Sequence, residues 1–196
     1  WIWDGDDKQL SQQYASNALF EQGVELSKVK SHHDNIRKNM RLKADYEAPL
    51  FKGKLELGGQ VLLTTGVSEY TYHNYQIPSS EWIYDSAYSN TMQFDRNLIS
   101  TYTTYTNKWK EYSYMLGLRL EYMDRLLDQK TLGKKYPVEL FNYYPSAHIS
   151  RKIGEKNQLQ LSYSRRINRS QPWELNPFPD YADQYNFSMG NPELKP

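Results

Sequence analysis

The feature that most constrains this chain is an alternation of side chains with a period of two, whose apolar row is bounded by tyrosines. In Tyr112–Arg125, the residues Tyr112, Tyr114, Leu116, Leu118, Leu120 and Tyr122 share one parity, and Ser113, Met115, Gly117, Arg119 and Glu121 share the other. Successive side chains of a strand point to opposite faces, so this is a strand with one apolar and one hydrophilic side. Aromatic residues near the ends of the row and leucines in its middle match a lipid-facing row with interfacial girdles.

The pattern recurs. Gln158–Asn168 sets Leu159, Leu161, Tyr163 and Ile167 against Gln158, Gln160, Ser162, Ser164 and Arg166, with Arg165 interrupting the apolar row. Further segments span 36–48, 54–69 and 143–153, while 94–106 is rich in Thr and Tyr with ambiguous facing. The reading is all-β: an antiparallel meander of about six strands, near 36–48, 54–69, 94–106, 112–125, 143–153 and 158–168. Residues 1–34 read as an extracellular loop or the end of a preceding strand, with a short strand near Leu19–Leu26, and 35–196 as part of a barrel.

Short links around 49–53, 107–111 and 154–157 alternate with long connections at 70–93, 126–142 and after 169. Outer-membrane barrels have short periplasmic turns and long extracellular loops, which places the long connections outside. A soluble antiparallel sandwich also alternates its faces, and periodicity alone leaves both architectures open.

Composition narrows the functions. There is no Cys among 196 residues, which removes disulfides, thiolate metal sites and Cys nucleophiles. The formal charge is +1, so no strong field points to nucleic acid. Tyr occurs 18 times, yet the mean hydropathy is −0.87. A transmembrane helix needs a long apolar run that this chain lacks, whereas a transmembrane barrel keeps its average polar by alternating lipid- and lumen-facing residues.

Several sequence blocks carry a resemblance. Ala44-Asp45-Tyr46-Glu47-Ala48-Pro49-Leu50 followed by Lys54-Leu55-Glu56-Leu57-Gly58, then Gly117-Leu118-Arg119-Leu120-Glu121-Tyr122, then Tyr144-Pro145-Ser146 appear in order. Gln158-Leu159-Gln160-Leu161-Ser162-Tyr163-Ser164-Arg165-Arg166-Ile167, Leu175-Asn176-Pro177-Phe178 and Gly190-Asn191-Pro192-Glu193-Leu194-Lys195-Pro196 complete the set. Together they resemble TonB-dependent receptors and related outer-membrane β-barrel proteins of the Bacteroidota type. Tyr144 stands where Phe is usual and Ser170 where Pro is frequent. The resemblance covers roughly residues 35–196 and is specific to the barrel, not to a substrate.

It implies a barrel of about 22 strands in the outer membrane of a Gram-negative bacterium, with an N-terminal plug and energy delivered through TonB. The implied partners are outer-membrane lipid and lipopolysaccharide, the remainder of the barrel and its plug, TonB through regions outside this sequence, and a surface lipoprotein. The start at Trp1 and the end at Pro196 both read as cut, and six strands cannot close such a barrel. The expected role is import of a scarce nutrient, such as a siderophore, haem, peptide or glycan. The alternative is a non-transporting barrel that scaffolds a surface complex. No catalytic set and no cofactor site is recognisable.

Individual residues are assigned accordingly. Asp45, Glu56, Arg119, Glu121, His148 and Arg166 are candidate lumen-facing polar groups, where structural ion pairing competes with contacts to plug or substrate. Trp173, Phe178, Tyr181 and Tyr185 are candidate ligand contacts in the last extracellular loop, where self-packing is the competing role. Arg165 and Arg169 fall on the apolar parity of the last strand and are expected at the outer interface, within reach of lipopolysaccharide anions. His32-His33 reads as part of a solvated loop. The Asn-X-Ser triplets at Asn168 and Asn186 are short enough to arise by chance.

Overall fold

A computed structural model describes residues 2–15, 24–76, 79–154, 156–181 and 186–195. It is 75% strand, which fixes the class as all-β, and its antiparallel sheet curls into a half-barrel. The strands are β1 (Ile2–Ala15), β2 (Val24–Leu50), β3 (Gly53–Gln76), β4 (Glu81–Tyr84), β5 (Asn90–Trp109), β6 (Tyr112–Gln129), β7 (Lys134–Ile153) and β8 (Asn157–Ser164). They form one sheet in the order β1-β2-β3-β5-β6-β7-β8, with β4 paired to the end of β3. After β8 come a single helical turn, α1 (Pro172–Leu175), and a two-residue ladder of β9 (Asp180–Tyr181) with β10 (Phe187–Ser188).

Four expectations are corrected. Residues 1–34, expected as an extracellular loop or the end of a preceding strand, hold strand β1 and the first part of β2, paired from Ile2↔Lys38 to Ala15↔Val24, so the loop alternative is the one corrected. Of the short strand expected near Leu19–Leu26, the part before Val24 lies outside the described residues, and the rest belongs to β2. The two long loops are mostly strand. β6 continues to Gln129 and β7 resumes at Lys134, leaving a turn over 130–133, while 70–93 contains the end of β3, all of β4 and the start of β5. The last strand, by contrast, is shorter than expected: after Ser164 only the Arg165 N–H still donates, to the Pro145 carbonyl at 3.1 Å, before the chain leaves the sheet.

Two of the proximal hairpins turn in two residues, Phe51-Lys52 and Lys110-Glu111, with φ of 53° at both Phe51 and Lys110. Positive φ is costly for a side chain with a Cβ. The distal β6–β7 turn meets the same requirement with Gly133 at φ 63°.

The outward face carries an apolar band. One row runs Leu42–Val61–Ile99–Tyr122–Phe141, and another runs Tyr46–Leu57–Thr103–Leu118–Pro145. Leu161 and Phe141 are 73% and 67% exposed there. The proximal border is aromatic, with Trp109 stacked on Tyr112 at 6.4 Å and the Arg151 guanidinium over the Tyr112 ring at 5.1 Å. Tyr122, Phe141 and Tyr143 edge the distal side. From Tyr112 to Tyr122 the strand rises about 33 Å, or roughly 23 Å along the normal at a 45° tilt, close to the roughly 25 Å apolar band of an outer-membrane barrel.

Beyond Tyr122 the two faces exchange character. Outward residues become mostly polar, with Asp95, Asn97, Asp124, Asp128 and Glu139 beside Leu126 and Pro137, whereas the inward face gains Met92, Phe94, Leu98, Met123 and Leu127 around Arg96 and Arg125. The inward distal patch is covered by the segment after β8, whose Leu175 is fully buried against Met92, Phe94 and Leu127 with Tyr136 beside them. This small core is what makes the distal halves of β5, β6 and β7 strands rather than loops: each buries apolar surface against the returning chain, worth about 25 cal/mol per Å² removed from water.

Candidate functional site

The inward face divides into two zones. The proximal zone is an ion-paired polar floor. Asp45 of β2 accepts from Lys43 at 2.7 Å and from the Tyr102 hydroxyl. The Tyr102 ring lies across Gly58, where a Cβ would meet the ring at 2.2 Å, so only glycine admits this ring position. Glu56 and Glu47 face each other across β2 and β3, and Lys54 bridges them, with 3.2 Å to Glu47. His148 of β7 shares a hydrogen bond with Ser162 of β8 at 2.8 Å. These pairings tie down the carboxylates, with Glu47 and Glu56 sharing one ammonium, and leave a hydrophilic wall.

The central zone is built around Glu121, which is 2% exposed. Arg119, two residues earlier on the same face, donates to it at 2.9 Å and to the Ser100 hydroxyl at 3.4 Å. Arg169 donates to its other oxygen from the segment after β8. Arg169 is therefore turned inward, which corrects its expected position at the lipid interface. Burial of Glu121 requires partners, and the inward guanidinium supplies one. Arg165 does face outward, its guanidinium 4.8 Å from the centroid of the Tyr143 ring. Arg166 lies beyond the end of β8 and is exposed.

Above this zone, the segment after β8 is tied to the wall. Arg125 donates to the carbonyls of Pro192 at 3.0 Å and Leu194 at 3.5 Å, and the Gln129 amide donates to Asn176 at 2.8 Å. The expected extracellular loop thus folds back inside the distal half of the sheet. Between it and the wall lies a cavity of about 940 Å³, lined by Arg37, Asn39 and Phe94 from the strands and by Trp173, Glu174 and Phe178 from the segment. Trp173 is 73% exposed, whereas Phe178 is buried at the cavity edge. Tyr181 ends β9, paired with Phe187, and Tyr185 lies outside the described residues.

The His32-His33 pair lies in β2 rather than in a loop. His33 hydrogen-bonds Ser68 at 3.0 Å and Asn35 at 2.8 Å, and stands edge-on to Tyr70. Among the described residues no cluster of three His, Cys, Asp or Glu side chains forms a metal site.

Sequence reasoning did not single out Arg37, Arg96, Arg125 or Gln129. The parity rule could have found Arg125, which shares a face with Arg119 and Glu121, and Arg96 is its partner across the strands. Gln129 was hidden because 126–142 reads as a loop, and Arg96 because the facing of 94–106 is ambiguous, whereas Arg37 and Arg125 lie within expected strands and nothing in the sequence set them apart from their polar neighbours.

Among solved structures, the ferric citrate transporter FecA in its unliganded form is similar to this chain with a TM-score of 0.48 at 12% identity. The match covers 81% of this chain and 23% of that one, so the chain spans less than a quarter of that transporter. No curated protein matches the sequence. The pattern that defines the outer membrane protein beta-barrel family matches residues 3–196. With a banded outward face, a polar inward face and that match over nearly its whole length, the chain belongs to the outer membrane protein beta-barrel family, and its place is the outer membrane.

Proposed function

We propose that this chain is part of the wall of a TonB-dependent receptor of the Bacteroidota type, which imports a scarce nutrient such as a siderophore, haem, a peptide or a glycan. The observation that carries this reading is the cavity at the distal end, bounded on one side by the polar lumen wall and on the other by an inward-folded segment bearing Trp173. An exposed indole beside Arg37 and Asn39 offers a stacking surface next to hydrogen-bond donors and acceptors, as ligand sites do. The sequence blocks described above support the same family branch.

On this reading the distal end faces outside, and the remaining strands, the plug and the TonB contact belong to parts of the protein beyond this sequence. The open edges at β1 and β8 are then paired by further strands, since no backbone group stays unpaired in lipid. Lipopolysaccharide and a surface lipoprotein are the proposed external partners, and the role is non-enzymatic. The second reading, a non-transporting scaffold barrel, is favoured by one feature: the segment after β8 narrows the distal mouth with a buried anchor at Leu175.

The test is made on the native protein from the outer-membrane fraction. Intact mass and peptides upstream of Trp1 should reveal a plug and a TonB-contacting box, and nutrient-dependent growth should stop when that box is deleted. A plugless barrel, or growth indifferent to the deletion, contradicts import and leaves the scaffold.

A further inference from the structure

At the proximal border of the apolar band, two cations each rest on one ring of a stacked aromatic pair. Trp109 ends β5 and Tyr112 begins β6, and the two pair across the turn with ring centroids 6.4 Å apart. The Lys110 ammonium lies 5.2 Å from the Trp109 centroid, and the Arg151 guanidinium 5.1 Å from that of Tyr112. The negative face of each ring attracts its cation and holds it at the membrane surface.

The cluster is open to what surrounds the barrel. Trp109 is 64% exposed, and Lys110 and Arg151 are exposed beside it. Glu111 is the one carboxylate within reach: a single oxygen accepts from two Arg151 nitrogens at 3.2 and 3.3 Å. Among the described residues Lys110 has no ion pair, so two cations face one carboxylate and one positive charge is unmatched. The surface turns apolar at once, with Leu159 directly opposite Arg151 on β8 and Ile149 opposite Tyr114. Lys110 also holds φ 53°, a backbone position that favours glycine. An aromatic girdle alone needs no cation there, and backbone strain of this kind is retained where the side chain has a task.

We propose that Lys110 and Arg151, held on Trp109 and Tyr112, bind the phosphate of an anionic phospholipid in the periplasmic leaflet, whose acyl chains lie along Leu159 and Ile149. The short turns of an outer-membrane barrel face the periplasm, which puts this border at the phospholipid headgroups. The ammonium acts as a point charge and the guanidinium as a hydrogen-bonding fork on phosphate oxygens. A zwitterionic headgroup brings its own cation towards the unmatched charge, so the site discriminates against it. The site is continuous with the lipid-facing band and is independent of import.

The test uses the full-length protein in vesicles, with Trp109 kept and every other tryptophan replaced by phenylalanine. Quenching of Trp109 by brominated phosphatidylglycerol, titrated against phosphatidylcholine, reads the relative affinity at this one place. Phosphatidylglycerol should be preferred, and raised salt should weaken the preference. Lys110→Gln and Arg151→Gln should each lower it about 5-fold, the worth of one cation at an anionic lipid surface. Lys108→Gln, on the inward parity of β5 at the same height, should leave it unchanged. Equal quenching by the two lipids overturns the proposal, as does an equal loss in Lys108→Gln, which would mean that net charge alone is sensed. Stronger displacement of the brominated lipid by lipid A than by unbrominated phosphatidylglycerol names lipopolysaccharide as the occupant and overturns it too.

Discussion

The proximal and distal halves of the same strands solve opposite problems. In the proximal half of β6 the outward residues are Leu116, Leu118 and Leu120, and the inward ones are Gly117, Arg119 and Glu121. In the distal half the outward residues are Asp124, Leu126 and Asp128, and the inward ones are Met123, Arg125 and Leu127, so the charge moves mainly outward and the buried apolar groups inward. The backbone and the period of two are unchanged; only the solvent on each side differs. Lipid outside and polar lumen inside give way to water outside and a packed chain inside. A strand of this kind has no single hydrophobic face, and its pattern inverts where it leaves the membrane.

The contrast can be broken at the distal core first. Leu127, 1% exposed, should cost about 2–5 kcal/mol as Leu127→Ala, and the segment after β8 should become protease-sensitive while the banded half holds. Limited proteolysis with unfolding by denaturant reads both. The next effect is asymmetric along one face. Leu118→Arg should cost about 2–4 kcal/mol in a bilayer refolding assay. Asp124→Arg, on the same outward parity but past the band and opposite Glu139, should be neutral or mildly stabilising.

Between the halves, Glu121→Gln should cost about 1–3 kcal/mol by leaving Arg119 and Arg169 without their carboxylate, with the lower end favoured because Arg119 is 42% exposed. Thermal melts at low and high salt check it. The smallest effects lie in the turns. Lys110→Gly should gain up to about 1 kcal/mol by relieving positive φ, and Gly133→Ala should lose a similar amount, since no atom lies within 4 Å and the cost is purely conformational. Equal behaviour of the two would show that the turn geometries differ from those described.

The inversion also decides what was legible in the sequence. The lipid-facing rows 112–122 and 159–163 could be read directly, because Leu and Tyr recur at one parity without interruption. The segment 94–106 looked ambiguous because Leu98 and Ile99 are adjacent, one buried inward and one exposed outward, at the point of exchange. Residues 126–142 read as a loop because their outward row, with Asp128, Lys135 and Glu139, is charged, while the apolar row had moved to the other parity. The inward position of Arg169 was not readable by parity at all, since the chain has already left the sheet when it reaches Glu121. Asp45, Glu56 and His148 followed from alternation, but their partners come from neighbouring strands whose register the sequence does not specify.

The most direct test of the inversion uses the absence of cysteine from these 196 residues, with any cysteine elsewhere in the full-length protein first replaced by serine. Single cysteines at 116, 118, 120, 122, 124, 126 and 128 of the full-length protein in its membrane would carry a nitroxide, and its relaxation by oxygen and by a water-soluble nickel chelate would be compared. The account requires oxygen to dominate from 116 to 122 and the nickel chelate to dominate from 124 onward. Nickel access along the whole outward row, or oxygen dominance continuing through 128, would contradict it.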